Sequence, residues 1–142
     1  MNLVIFFEHS KDILSIVNKC QTVYNAKVYE ILTTKKVVFF DKFFSSYFKK
    51  RINVKKCPLN LNEFETIILI SPLWFNKIPS PVIQFLEHQT GKIKNIIYYL
   101  YNYNKEDHEE EFDKLDKILN LQRQKSHFIS LNKNDIHIRV YQ

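Results

Sequence analysis

Apolar and polar residues are arranged in blocks along the chain, and the blocks change period. Leu3 to Phe7 is an unbroken apolar run closed by polar residues, the pattern of a strand buried on both faces. From Asp12 the apolar positions move to steps of three and four. Ile13, Ile16, Val17, Cys20, Val23 and Tyr24 form one stripe of an amphipathic helix, with Ser10 or Asp12 as its cap. Val28 to Ile31 reads as a short second strand. Phe39, Phe40, Phe43, Phe44, Tyr47 and Phe48 then recur at helical spacing ahead of the basic residues Lys49, Lys50, Arg51, Lys55 and Lys56. This predicts a helix that buries its aromatic face on a sheet and leaves lysines in water.

Thr66 to Ile70 is a third apolar strand. Ser80 as cap and Pro81 as first helical residue open a helix carrying Val82, Ile83, Phe85 and Leu86, which Gly91 is placed to end. Asn95 to Tyr101 is the fourth strand. Asp107, Glu109, Glu110 and Glu111 then precede Lys114, Lys117 and Arg123 around a stripe of Phe112, Leu115, Ile118 and Leu119, a charge order that complements a helix dipole. His127 to Leu131, followed by Ile136, Ile138 and Val140 in alternation, supply the last strand or a strand pair. Strand and helix alternate throughout, which implies right-handed crossovers and a parallel sheet. The 142 residues suit a single domain spanning 1–142, with one core.

No segment approaches the ~20 apolar residues of a membrane span. The N-terminal run lacks the flanks of a signal peptide. Cys20 and Cys57 have no zinc-ligand spacing and fit a reducing compartment. The expectation is therefore a cytoplasmic protein with no membrane partner and no metal. The formal charge of +6 comes with an abundance of Lys, Asn, Ile, Phe and Tyr and a single glycine, Gly91, the mark of AT-rich coding. Such a bias raises lysine without any polyanionic partner. The stretch Phe39 to Lys56 imitates a single-stranded nucleic-acid surface, but its spacing fits a packed helix better, and nucleic acid is not expected.

The segment Phe64-Glu65-Thr66-Ile67-Ile68-Leu69-Ile70-Ser71-Pro72-Leu73-Trp74-Phe75, continued by Ile78-Pro79-Ser80-Pro81-Val82 and Phe85-Leu86, resembles the flavodoxin family's Y-D-x-I-I-x-G-T/S-P-x-W and the helix after it. The resemblance covers most of the chain. It implies a doubly wound five-stranded parallel sheet in the order 2-1-3-4-5, with Leu3 to Phe7 central. It also implies flavin mononucleotide (FMN) at the C-terminal strand ends, used for electron transfer or flavin-dependent reduction with a redox protein partner. The family's phosphate loop, S/T-x-T/S-G-x-T, corresponds to Glu8-His9-Ser10-Lys11-Asp12-Ile13. Lys11 stands for the glycine and Ile13 for the final threonine.

The glycine lets backbone N–H groups approach a phosphate, and losing the threonine hydroxyl removes a bond of roughly 1.5–3 kcal/mol. Glu8 and Asp12 add negative charge, and the Lys11 ammonium contributes positive charge in return. With all these changes phosphate binding is expected to weaken by about one to three tenfold steps. On the resemblance, the cofactor-binding residues are Ser10, Lys11 and Asp12 at the loop, with Pro72, Trp74, Phe75 and Tyr101 around the flavin ring. Tyr99 and Tyr103 are further aromatic residues at the fourth strand. No catalytic acid or base is identifiable, and His88, His108, His127 and His137 read as surface or edge residues. The alternative is a cofactor-free flavodoxin-like module for binding or assembly. A flavodoxin-like domain closes with a helix after its fifth strand, and no residues remain for one here. The uncovered sheet face predicts a homodimer.

Overall fold

The computed structural model describes residues 1–48, 51–102, 108–132 and 135–141. Its first strand, β1 (Asn2–Phe7), lies between β2 (Ala26–Ile31) and β3 (Ile67–Pro72), followed by β4 (Ile96–Asn102), β5 (Lys125–Asn132) and β6 (Asp135–Tyr141) in the order 2-1-3-4-5-6. The five strands β2, β1, β3, β4 and β5 run parallel, as the flavodoxin-like reading requires. The segment after β5 does not return as a helix. It pairs antiparallel along β5, from Ser126 opposite Tyr141 to Asn132 opposite Asp135, and forms the sheet edge.

Because side chains alternate along a strand, β1 feeds two cores. Leu3, Ile5 and Phe7 join Phe85 and Leu86 of α3 (Ser80–Gln89) and Phe112 and Leu115 of α4 (Glu109–Leu119). Val4 and Phe6 meet Ile13, Val17 and Cys20 of α1 (Lys11–Tyr24) on the opposite face. Val23, expected in that stripe, is 74% exposed. It lies about 90° round the helix from the line through Ile13, Val17, Cys20 and Tyr24, and so turns to water. The helix ends where Asn25 takes a left-handed conformation and donates its N–H to Gln21 and Thr22.

Two local readings are corrected. The cap of α3 is Pro79 rather than Ser80, because the Ser80 hydroxyl accepts a bond from Ile52 N–H at 3.1 Å. The helix α2 (Phe39–Phe48) is present, but its aromatic face is not buried on the sheet: Phe39, Phe40 and Tyr47 are 64%, 68% and 53% exposed. Thr34 N–H bonds to Asn53 O and Lys55 N–H to Leu32 O, so the chain leaves and returns at one point. α2 rides on that excursion. Val37, Ile52 and Val54 pack against the α3-side core instead, with Ile52 and Val54 bonded through their N–H groups to Ser80 and Gln84 of α3.

On the α1 side, Tyr99 stacks flat on His127 (4.1 Å, 5°) and its hydroxyl meets that of Tyr24 at 2.9 Å. Burial, then the Lys125 ammonium, lower the His127 pKa below its ordinary 6.5. The unfolded chain thus takes up this proton near pH 6.5 while the folded chain resists it, so stability present above that pH is lost as the pH falls through it. His127→Phe is expected to flatten thermal stability against pH between about pH 7 and 5, by up to about one proton's worth of slope. An unchanged slope in melts of the two proteins would refute this. Burial is also the larger cause raising the Cys20 thiol to about 11, too high for a thiolate at neutral pH.

Candidate functional site

At the C-terminal ends of the strands, β1 runs into the loop that opens α1. Glu8 takes a left-handed backbone (φ 77), which turns the chain so that Ser10 N–H bonds back to Glu8 O at 3.2 Å. Ser10 is extended and caps α1, its hydroxyl accepting from Ile13 N–H at 3.2 Å. Lys11 and Asp12 follow in the exposed first turn. Ile13 is fully buried in the α1 core, so the family's last threonine position is a packing position here.

The Glu8 carboxylate does not face the start of α1. It accepts from Trp74 Nε1–H and from the Lys42 ammonium, each at 3.2 Å. The negative charge expected to oppose a phosphate is matched by a cation from α2, 34 residues away. Lys42 also lies 5.3 Å from the Trp74 ring centroid. A cleft of about 210 Å3 opens between Glu8, Leu32, Val37, Lys42 and Trp74.

Trp74 is 5% exposed and meets Phe7 edge-on at 5.4 Å. Its ring is a core element, with its N–H spent on Glu8. Phe75 and Asn76 both have positive φ (49° and 65°) in a turn closed by paired bonds between Trp74 and Lys77. The half-buried Phe75 ring meets Phe39, Phe43 and Tyr47 of α2 at 5.6–5.8 Å. Pro72 and Tyr101 sit opposite each other in β3 and β4, and Leu73 N–H donates to Tyr101 O. Tyr101 is 3% exposed. Asn102 Nδ2 donates to Asn76 Oδ1 at 2.7 Å and ties the two strand-end loops together.

Of the residues singled out in the sequence, Ser10, Lys11 and Asp12 thus share the start of α1, and Trp74 reaches that loop through Glu8. Phe75 stands apart with α2, while Pro72 and Tyr101 are a buried register pair at the ends of β3 and β4. Tyr103 lies outside the described residues. His108, expected at the surface, is buried beside Phe128 at the start of α4. Lys42, Asn76 and Asn102 carry no sequence signal, since only the fold brings them to this edge.

The donor set suits the phosphate end of FMN: the start of a 14-residue helix, a hydroxyl and an ammonium, with one of the two acidic residues of the loop, Glu8, turned toward Lys42 while Asp12 stays in the first turn. At the ring end the available aromatic surface is Phe75 with the exposed rings of α2.

No known family profile matches the chain, and no curated protein matches it in sequence. Solved structures do match its fold. A "putative flavoprotein" from Bacteroides eggerthii aligns with a TM-score of 0.73 at 16% identity, over 89% of this chain and 86% of that one. One from Bacteroides uniformis aligns at 0.69 and 20% identity, over 94% and 91%. A Lactobacillus acidophilus flavoprotein in complex with FMN aligns at 0.67 and 10% identity, over 92% and 91%. The chain has the flavodoxin-like fold of these structures. Among the described residues no helix is long and apolar enough to cross a membrane.

Proposed function

We propose that this chain binds FMN across the C-terminal ends of β1, β3 and β4 and works in electron transfer or flavin-dependent reduction with a redox protein partner. The observation that carries the reading is the start of α1: Ser10 and Lys11 present a hydroxyl and an ammonium at a helix N-terminus while Lys42 draws the Glu8 carboxylate aside. That this fold is shared with a protein crystallised with FMN supports it. Bound FMN supplies the one- or two-electron chemistry. The chain's part is to hold it. Ser10, Lys11 and the first-turn backbone at Asp12 receive the phosphate, Phe75 flanks the ring, the buried pair Pro72 and Tyr101 holds the ends of β3 and β4 in register, and Trp74 fixes the turn that carries Phe75.

A comparison of FMN with riboflavin, followed by flavin fluorescence, tests the phosphate placement. FMN is expected to bind about tenfold or more tightly than riboflavin, the worth of one or more charge-assisted hydrogen bonds. Equal affinities would remove the phosphate from α1. One observation favours a second reading, the cofactor-free binding module: Ser10 Oγ is satisfied by Ile13 N–H, and Glu8 by Trp74 and Lys42, all within the chain. Absence of any flavin binding would select that reading. Self-association belongs to both readings, but the α1-side face over β4 and β5 does not supply the open apolar patch expected for it. Ile97, Tyr101 and Ile129 there are 2–5% exposed, whereas the exposed large apolar side chains among the described residues include Phe39, Phe40 and Tyr47 of α2. Light scattering is expected to give the mass of a dimer, and a monomer at micromolar concentration would sink it.

A further inference from the structure

Behind the turn that carries Phe75, on the side of α3 and α4, lies a pocket of about 390 Å3. Three cations reach it: Arg51, Lys77 and Lys114. Two carboxylates do as well, and each is already matched. Glu111, only 3% exposed, accepts from Lys114 at 2.7 Å and from Ile78 N–H at 3.1 Å. Glu87 pairs with Arg51 at 3.3 Å. Lys77 is the cation left over. It bonds to the Ser46 carbonyl and lies over the Tyr47 ring, and among the described residues it forms no ion pair.

A second group in the same wall is also left over. Ser45 is 7% exposed, and its hydroxyl has no hydrogen-bond partner. A buried hydroxyl without a partner is costly, and its presence in a pocket wall points to a group that arrives from outside. What an unmatched ammonium and an unmatched hydroxyl share is the ability to donate, and an oxyanion satisfies both. The start of α3 opens on the same space with no side-chain cap, which adds the favourable end of a helix dipole. The volume exceeds what a bare ion fills, and Ile78 and Ile83 supply apolar wall.

We infer that this pocket binds the phosphate group of a small phosphate monoester, held by Lys77 and Ser45 with the ester's organic part against Ile78 and Ile83. The site is separate from the one proposed for FMN, and neither requires the other.

Backbone amide NMR of the full chain, titrated with inorganic phosphate and with phenyl phosphate, tests it. Shifts are expected at Ser45, Ser46, Lys77 and Ile78, with phenyl phosphate binding more tightly than inorganic phosphate. Equal affinities would make free phosphate the ligand and overturn the ester. No shifts at these residues, or shifts only at the start of α1, would overturn the site. Lys77→Gln, at an exposed position, is expected to weaken phenyl phosphate about tenfold. Ser45→Ala removes an unsatisfied hydroxyl, so it is expected to leave the melting temperature unchanged or raise it while weakening phenyl phosphate about three- to tenfold. A hydroxyl serving only the fold gives the reverse pattern, a lower melting temperature with unchanged affinity.

Discussion

Trp74→Ala is expected to lower folding stability by about 3–5 kcal/mol, the range for removing a buried large aromatic. The ring is 5% exposed and packs against Phe7, and its loss opens a cavity between β1 and the turn after β3. Two further effects push in the same direction. Glu8 loses the Nε1–H that holds it at 3.2 Å, and Lys42 loses the ring beneath it. Against a typical domain stability of about 5–15 kcal/mol, this is a large fraction. Urea denaturation reads it directly. Trp74→Phe is the milder change: it keeps an aromatic ring in place but loses three ring atoms, the indole N–H among them, for about 1–3 kcal/mol. A Trp74→Ala protein as stable as the parent would mean that the ring faces a ligand rather than the core. Because Trp74 is the only tryptophan, its fluorescence also reports the cleft, and flavin bound nearby should quench it.

What the sequence reveals and what it hides divide along physical lines. β1, β3 and β4 are legible because each is an apolar run buried on both faces, a pattern that needs no knowledge of its neighbours. The same holds for α1 and α4, whose stripes and terminal charges are local features. α2 misleads because helical spacing records amphipathicity without saying what the apolar face meets. Here the pairing of residues 32–34 with 53–55 sends the helix out to the turn at Phe75 instead of onto the sheet. The Glu8–Lys42–Trp74 arrangement joins three elements across 66 residues, and only the fold creates it. The sequence presents Glu8 as a charge opposed to phosphate. The structure gives that charge a partner.

Restoring the family's phosphate loop is expected to fail. In Lys11→Gly with Ile13→Thr, the glycine would be needed if position 11 required a conformation closed to other residues. Lys11 is instead the first residue of α1, with ordinary helical backbone. The left-handed residue in this loop is Glu8. Glycine at position 11 therefore removes the ammonium and costs up to about 1 kcal/mol of helix propensity without opening the backbone. Threonine at position 13 replaces a fully buried core isoleucine and places a hydroxyl among Val4, Val17 and Ile68, for about 1–3 kcal/mol. The double variant is expected to be about 1–4 kcal/mol less stable. It is also expected to bind FMN about three- to tenfold more weakly, with a smaller dependence on salt, since an exposed cation has been lost. Denaturation and FMN titration at two ionic strengths measure both. If the double variant binds FMN more tightly than the parent, backbone approach limits binding after all, and the assignment of phosphate to the Lys11 ammonium falls.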